Sequence, residues 1–121
     1  MSLTESENLI KGYRENNIVV PDGVDVANYL SSHPLVVEYA SKVIGACRRE
    51  FDLNTQLSLE VYRDQESTVT QLTLYVRRPS YTMEIYRNLD ERIEKIVSQY
   101  DDEYPLENGE LLVMCDFKPS S

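Results

Sequence analysis

Leu57-Ser58-Leu59-Glu60-Val61-Tyr62-Arg63, then Asp64-Gln65-Glu66-Ser67, then Thr68-Val69-Thr70-Gln71-Leu72-Thr73-Leu74-Tyr75-Val76-Arg77-Arg78: apolar and polar residues alternate on both sides of a short polar break. Period-two alternation, rich in β-branched and aromatic side chains, is the mark of strands with one face buried. The stretch therefore reads as a β-hairpin, with strands of about 56–64 and 68–78. Leu57, Leu59 and Val61 fall on one face of the first arm; Ser58, Glu60 and Tyr62 fall on the other. In the second arm, Thr70, Leu72, Leu74 and Val76 take the inner face, and Gln71, Thr73, Tyr75 and Arg77 the outer. Pro79 ends the arm, because proline has no N–H to give a ladder.

Helical periodicity surrounds the hairpin. Pro34 suits the first turn of a helix, where a missing N–H costs nothing. From there to about Phe51, Val36, Ala40, Val43 and Cys47 recur three or four apart and form an apolar stripe. Gly45, inside that helix, reads as a point of close helix packing. After the hairpin, Ile85, Leu89, Ile93, Ile96, Val97 and Tyr100 mark a second amphipathic helix starting at Ser80 or Thr82. A last strand, about 110–117, puts Leu111, Val113 and Cys115 on one face and Leu112, Met114 and Asp116 on the other. Toward the N-terminus, Thr4 and Glu7 have the spacing of a capping box for a helix over 4–16. An extended Ile18-Val19-Val20 and a brief helical arm over 25–31 follow.

The expected fold is one two-layer α+β domain over residues 1–121, in outline α-α-β-β-α-β, with residues 1–24 as an N-terminal arm able to move. Its three-stranded antiparallel or mixed sheet carries helices on one face. A crossover through the last helix sets the final strand beside the first arm, giving the order 2-1-3.

Composition narrows the function classes. Twenty-one acidic residues against 12 basic give a net charge of −9. A phosphate backbone is repelled by such a chain, which excludes ordinary nucleic-acid binding. No apolar run reaches the roughly 18 residues of a membrane span, and the polar start shows no signal peptide. Cys47 and Cys115 stand far apart in apolar settings, as free thiols of a reducing compartment do. The expected location is the cytoplasm.

Catalytic constellations are sparse. His33 is the lone histidine, at a helix start with no nucleophile near it in sequence. One histidine and two separated cysteines offer no zinc site of standard spacing. The four glycines never cluster into a phosphate loop. No cofactor is implied. The carboxylates Glu60, Asp64 and Asp116 remain. If the last strand adjoins the first arm, Glu60 and Asp116 share the outer face, where acidic strand residues can hold a divalent metal for hydrolysis. Against that, Glu60 lacks the Glu-x-Lys pattern of metal-dependent nucleases, and no lysine lies between Lys42 and Lys95. The plainer reading is of solvated charges that protect a sheet from aggregation.

The outer face is the most informative feature. It gathers Tyr62, Tyr75, Thr73, Arg77 and Met114 in a chain with nine tyrosines and no tryptophan. Tyrosine, methionine and arginine are residue types enriched at protein interfaces. The residues thus point to a non-catalytic interaction module that meets a protein partner or a second copy through this face or a sheet edge. A metal-dependent hydrolase is the alternative.

Leu57 to Asp64, Leu72 to Arg77, and Leu111-Leu-Val-Met-Cys-Asp-Phe-Lys-Pro119 together resemble a family of short bacterial proteins, frequent in cyanobacteria, to which no activity is assigned. Tyr29-Leu30-Ser-Ser-His-Pro34 and Arg49-Glu-Phe51 extend the resemblance over about Val26 to Pro119. Where that family has Pro-Glu after the hairpin Asp, this chain has Gln65-Glu66; where it often has Gly-Trp, this chain has Gly109-Glu110. The resemblance implies the fold. Because some members are encoded beside a second small protein, it also implies an antitoxin-like pairing as a further alternative.

Overall fold

The structure, a computed structural model, describes residues 2–63, 66, 70–79, 82–101 and 111–117. In chain order the elements are α1 (Leu3–Glu15), β1 (Ile18–Val19), α2 (Gly23–Ser32), α3 (Pro34–Glu50), β2 (Gln56–Arg63), β3 (Thr70–Arg78), α4 (Met83–Asp101) and β4 (Leu111–Phe117). The class is α+β, with four helices and a four-stranded mixed sheet among the described residues.

Local chemistry accounts for the helix limits. Ser2, not Thr4, caps α1: its backbone is extended and its hydroxyl accepts from the Glu5 N–H at 3.1 Å. Thr4 already lies within the first turn. Asn17 takes a φ of 65° just after the helix, a left-handed conformation that asparagine tolerates better than most residues. Asp22 caps α2 by accepting from the Asp25 N–H at 3.0 Å. No side chain caps α3, which opens on Pro34. Thr82 accepts from the Ile85 N–H at 3.2 Å at the start of α4.

The sheet order is β1-β2-β3-β4. The hairpin β2–β3 is antiparallel, with Leu59 opposite Leu74 and Glu60 opposite Thr73. Two features depart from the sequence expectation of three strands in the order 2-1-3. The last strand, β4, runs parallel to β3 and beside it, not beside the first arm. The free edge of β2 is taken by β1, which pairs in parallel through Ile18–Leu57 and Val19–Ser58. The reason is geometric. α4 packs against α3 and β4 and returns the chain to run parallel beside the strand it has just left, and the apolar Ile18-Val19 fills the opposite edge.

One core cluster joins the helices to the inner sheet face. Leu57, Leu59, Leu72, Leu74, Val76 and Leu111 enter it from the sheet, and Val26, Leu30, Val36, Val43, Cys47 and Leu89 from the helices. Tyr39 is also fully buried. At the hydrophobic effect's usual 1.5–3 kcal/mol per buried aliphatic side chain, roughly, this layer dominates stability. Polar ties join elements around it. The buried Ser6 hydroxyl lies 3.0 Å from that of Ser31, joining α1 to α2. Arg63, at the end of β2, reaches back to Asp25 of α2. No helix among the described residues is long and apolar enough to cross a membrane.

Candidate interaction surface

Strand pairing lays the outer face out as a grid. One row runs Val19, Ser58, Tyr75, Met114 across all four strands. The next runs Glu60, Thr73, Leu112, and the row on the other side runs Gln56, Arg77, Asp116. Tyr62 stands opposite Gln71 near the hairpin end. Tyr62 is 53% exposed and Met114 44%, and Val19 and Leu112 are also exposed. Tyr75 is half-buried. Ser58 and Thr73, by contrast, are 0% and 1% exposed: they are short side chains at the centre of the grid, overtopped by their neighbours. Thr73 is thus brought to this face but cannot be a contact residue in its own right.

Val19 was missing from the sequence-derived surface. Its signal was the apolar run Ile18-Val19-Val20, but a two-residue strand gives no alternation to show which side chain faces which way.

A polar network binds three strands beneath this surface. Arg77 Nε donates to Asp116 Oδ2 at 2.6 Å, and Arg77 Nη2 donates to Glu60 Oε2 at 3.0 Å. The Ser58 hydroxyl donates to the same Glu60 oxygen at 2.8 Å. The guanidinium carbon also lies 4.9 Å from the centre of the Tyr75 ring, within cation–π range. Burial works against the charge on Arg77, but the Asp116 hydrogen bond and the Glu60 carboxylate outweigh it and hold the guanidinium above its ordinary, already high range. Burial first, and the Glu60 charge second, raise the Tyr75 phenol.

This arrangement bears on the carboxylate reading. Glu60 and Asp116 do share the outer face, as the sequence suggested, but from opposite sides of β3. The Arg77 guanidinium lies between them and already supplies the positive charge. Asp64 lies outside the described residues. Among the described residues no group of three or more His, Cys, Asp or Glu side chains is placed to hold a metal.

Among the described residues, Ser58, His33 and the two cysteines are not arranged for nucleophilic attack. Ser58 is sealed under its neighbours and donates to Glu60. His33 is remote from this face: its ring stacks on Tyr29 at 4.1 Å, and its Nδ1 lies 2.9 Å from the Tyr29 carbonyl oxygen. Both cysteines are free. Burial pushes the Cys47 thiol up to about 12, and burial with the Asp90 charge pushes Cys115 up to about 11. Neither is a thiolate near neutral pH, so neither is primed to attack. The arrangement is a partly exposed sheet face whose charged side chains are tied to one another across three strands.

No family model, curated protein or solved structure matches this chain.

Proposed function

We propose that this chain is a non-catalytic interaction module that pairs with a second copy of itself through the outer sheet face or, as the second arrangement, through the β4 edge. The observation that carries the reading is the row Val19–Tyr75–Met114, flanked by exposed Tyr62 and Leu112. On that face Arg77 pairs with both Glu60 and Asp116, which leaves one net negative charge among the three. The rest of the chain holds most of the net charge of −9. Interface cores are depleted of charge in this way.

The β4 edge supports self-pairing. Among the described residues no strand pairs with its far side. An antiparallel copy centred on Met114 would set Leu112 opposite Asp116 and Val113 opposite Cys115. No two like charges would face each other, which is what cross-strand pairing requires. The size of the surface sets the strength. Four strands about 4.8 Å apart and seven residues of about 3.3 Å bound the patch at roughly 15 by 23 Å, and β1 fills only two residues of its row. That is below the approximately 800 Å² per partner of a standard interface, so the association belongs to the weak, reversible class. Two free thiols support a reducing compartment such as the cytoplasm.

Sedimentation equilibrium over about 10–500 µM tests this, since weak dimers dissociate in that range. The expected result is a monomer–dimer equilibrium weakened by Tyr62→Ser with Tyr75→Ser, and abolished by Met114→Lys. A strict monomer at the top concentration refutes the self-pairing.

A further inference from the structure

A cavity of about 340 Å³ opens between the end of α1, β1 and α3. That is at the small end of the range for ligand pockets, roughly 300–1,000 Å³. Ile18 and Ile44 give it an apolar wall, and the hydroxyls of Tyr13 and Ser41, 2.6 Å apart, give it a polar one. Whichever hydroxyl donates to the other, one O–H of the pair is left to donate elsewhere. Arg48 and Arg49 line the same cavity, and no described carboxylate does. In a chain with a net charge of −9 this is a local concentration of positive charge.

The two arginines do different things. Arg48 tethers the end of α3, donating through Nη2 to the carbonyls of Phe51 at 3.0 Å and Asp52 at 2.6 Å. Arg49 is exposed, and among the described residues it has no hydrogen-bond or ion-pair partner. Gly45, one turn earlier, explains where Arg49 goes. A Cβ built at Gly45 would meet Arg49 Nη1 at 3.4 Å and nothing else within 4 Å outside its own helix turn. The sequence reading of Gly45 as a helix-packing contact therefore gives way: no neighbouring helix approaches it. A glycine in a helix interior costs about 1 kcal/mol relative to alanine. Here the missing side chain leaves the cavity open and lets the guanidinium lie along its wall.

We infer that this cavity binds a small organic anion: a single phosphate or carboxylate on a flat apolar body. Arg49 pairs with the anionic group through its planar fork. The free hydroxyl of the Tyr13–Ser41 pair donates a second hydrogen bond to it, and Ile18 and Ile44 pack against the apolar body. This site is separate from the outer sheet face and does not depend on the pairing proposed for it.

Phenyl phosphate, titrated into the isotope-labelled full chain and followed by amide NMR shifts, is the test; benzyl alcohol serves as a probe of similar shape without charge. The expected result is saturable shifts at Ser41, Gly45 and Arg49. Benzyl alcohol should bind at least about tenfold more weakly, as the loss of one charge-assisted hydrogen bond implies. Arg49→Gln, on the surface and harmless to folding, should weaken phenyl phosphate roughly tenfold by the same reasoning. Gly45→Leu should fill the space and abolish binding. Absence of saturable shifts overturns the inference. So do equal affinity for benzyl alcohol, unchanged affinity in Arg49→Gln, or shifts centred on Val19 and Met114 instead.

Discussion

Arg77→Gln tests the network on which the outer face rests. The wild-type side chain makes two ion-pair hydrogen bonds, of 2.6 Å to Asp116 and 3.0 Å to Glu60. Exposed pairs contribute about 0–1 kcal/mol, and breaking a fully buried pair costs about 3–5 kcal/mol. The Arg77, Glu60 and Asp116 side chains are 15%, 31% and 22% exposed, so each bond falls between those limits, at about 1 kcal/mol after solvent screening. The stack on Tyr75 adds about 0.5 kcal/mol. The variant should therefore lose about 2–3 kcal/mol, which for a chain of this size lowers the melting midpoint by roughly 10 °C. Thermal melts followed by calorimetry or circular dichroism would measure it. Combining Arg77→Gln with Glu60→Gln and Asp116→Asn should recover most of the loss, because no unpaired charge is then left on the sheet. A single variant within about 0.5 kcal/mol of wild type, the usual span for an inconsequential surface change, would refute the reasoning. So would a triple variant no more stable than the single one.

Leu74→Ala, at a fully buried position of β3 with strands on both sides, should cost about 3 kcal/mol by lost burial and an unfilled cavity; urea unfolding checks it. Alkaline pH should destabilise the fold. The Cys47 thiol is raised from 9.0 to about 12, so its contribution is complete below pH 9 and lost as pH rises through about 12. At about 1.4 kcal/mol per unit, the ceiling on that loss is about 4 kcal/mol. Cys115, Tyr13 and Tyr75 are shifted the same way, so Cys47→Ala should flatten the alkaline fall in midpoint without abolishing it. Calorimetric titration with magnesium or manganese should give no saturable heat at millimolar metal, because Arg77 already stands between Glu60 and Asp116. Saturable binding that is lost in Glu60→Gln would favour the hydrolase reading instead.

Periodicity made the inner and outer faces of β2, β3 and β4 legible, since a strand must show alternate residues to core and solvent. It could not give lateral order. Whether β4 sits beside β2 or β3 is decided by long-range pairing, which leaves no local trace in Leu111-Leu112-Val113. Ile18-Val19-Val20 was legible as extended but not as a strand of the sheet, because two residues have no period, and Val19's place on the outer face was missed with it. Glu60, Arg77 and Asp116 were each placed on the outer face from sequence, yet their joining through one guanidinium depends on cross-strand register. Thr73 was read as a contact residue, because parity says which way a side chain points but not whether taller neighbours cover it. Gly45 was misread because a missing side chain says that space is needed and not what fills it.

The mixed sheet also prescribes an order of assembly. Only the central hairpin can close between neighbours in the sequence. Both outer strands arrive by long excursions, from Ile18 to Leu57 on one side and from Leu72 to Leu111 on the other. Distant pairings of this kind slow folding. During synthesis, the apolar Ile18 and Val19 must wait, unpartnered, until β2 has been made. β1 thus waits through the synthesis of α2 and α3 before it can be locked, and its unpaired edge is where a nascent or stressed molecule is open to a wrong partner.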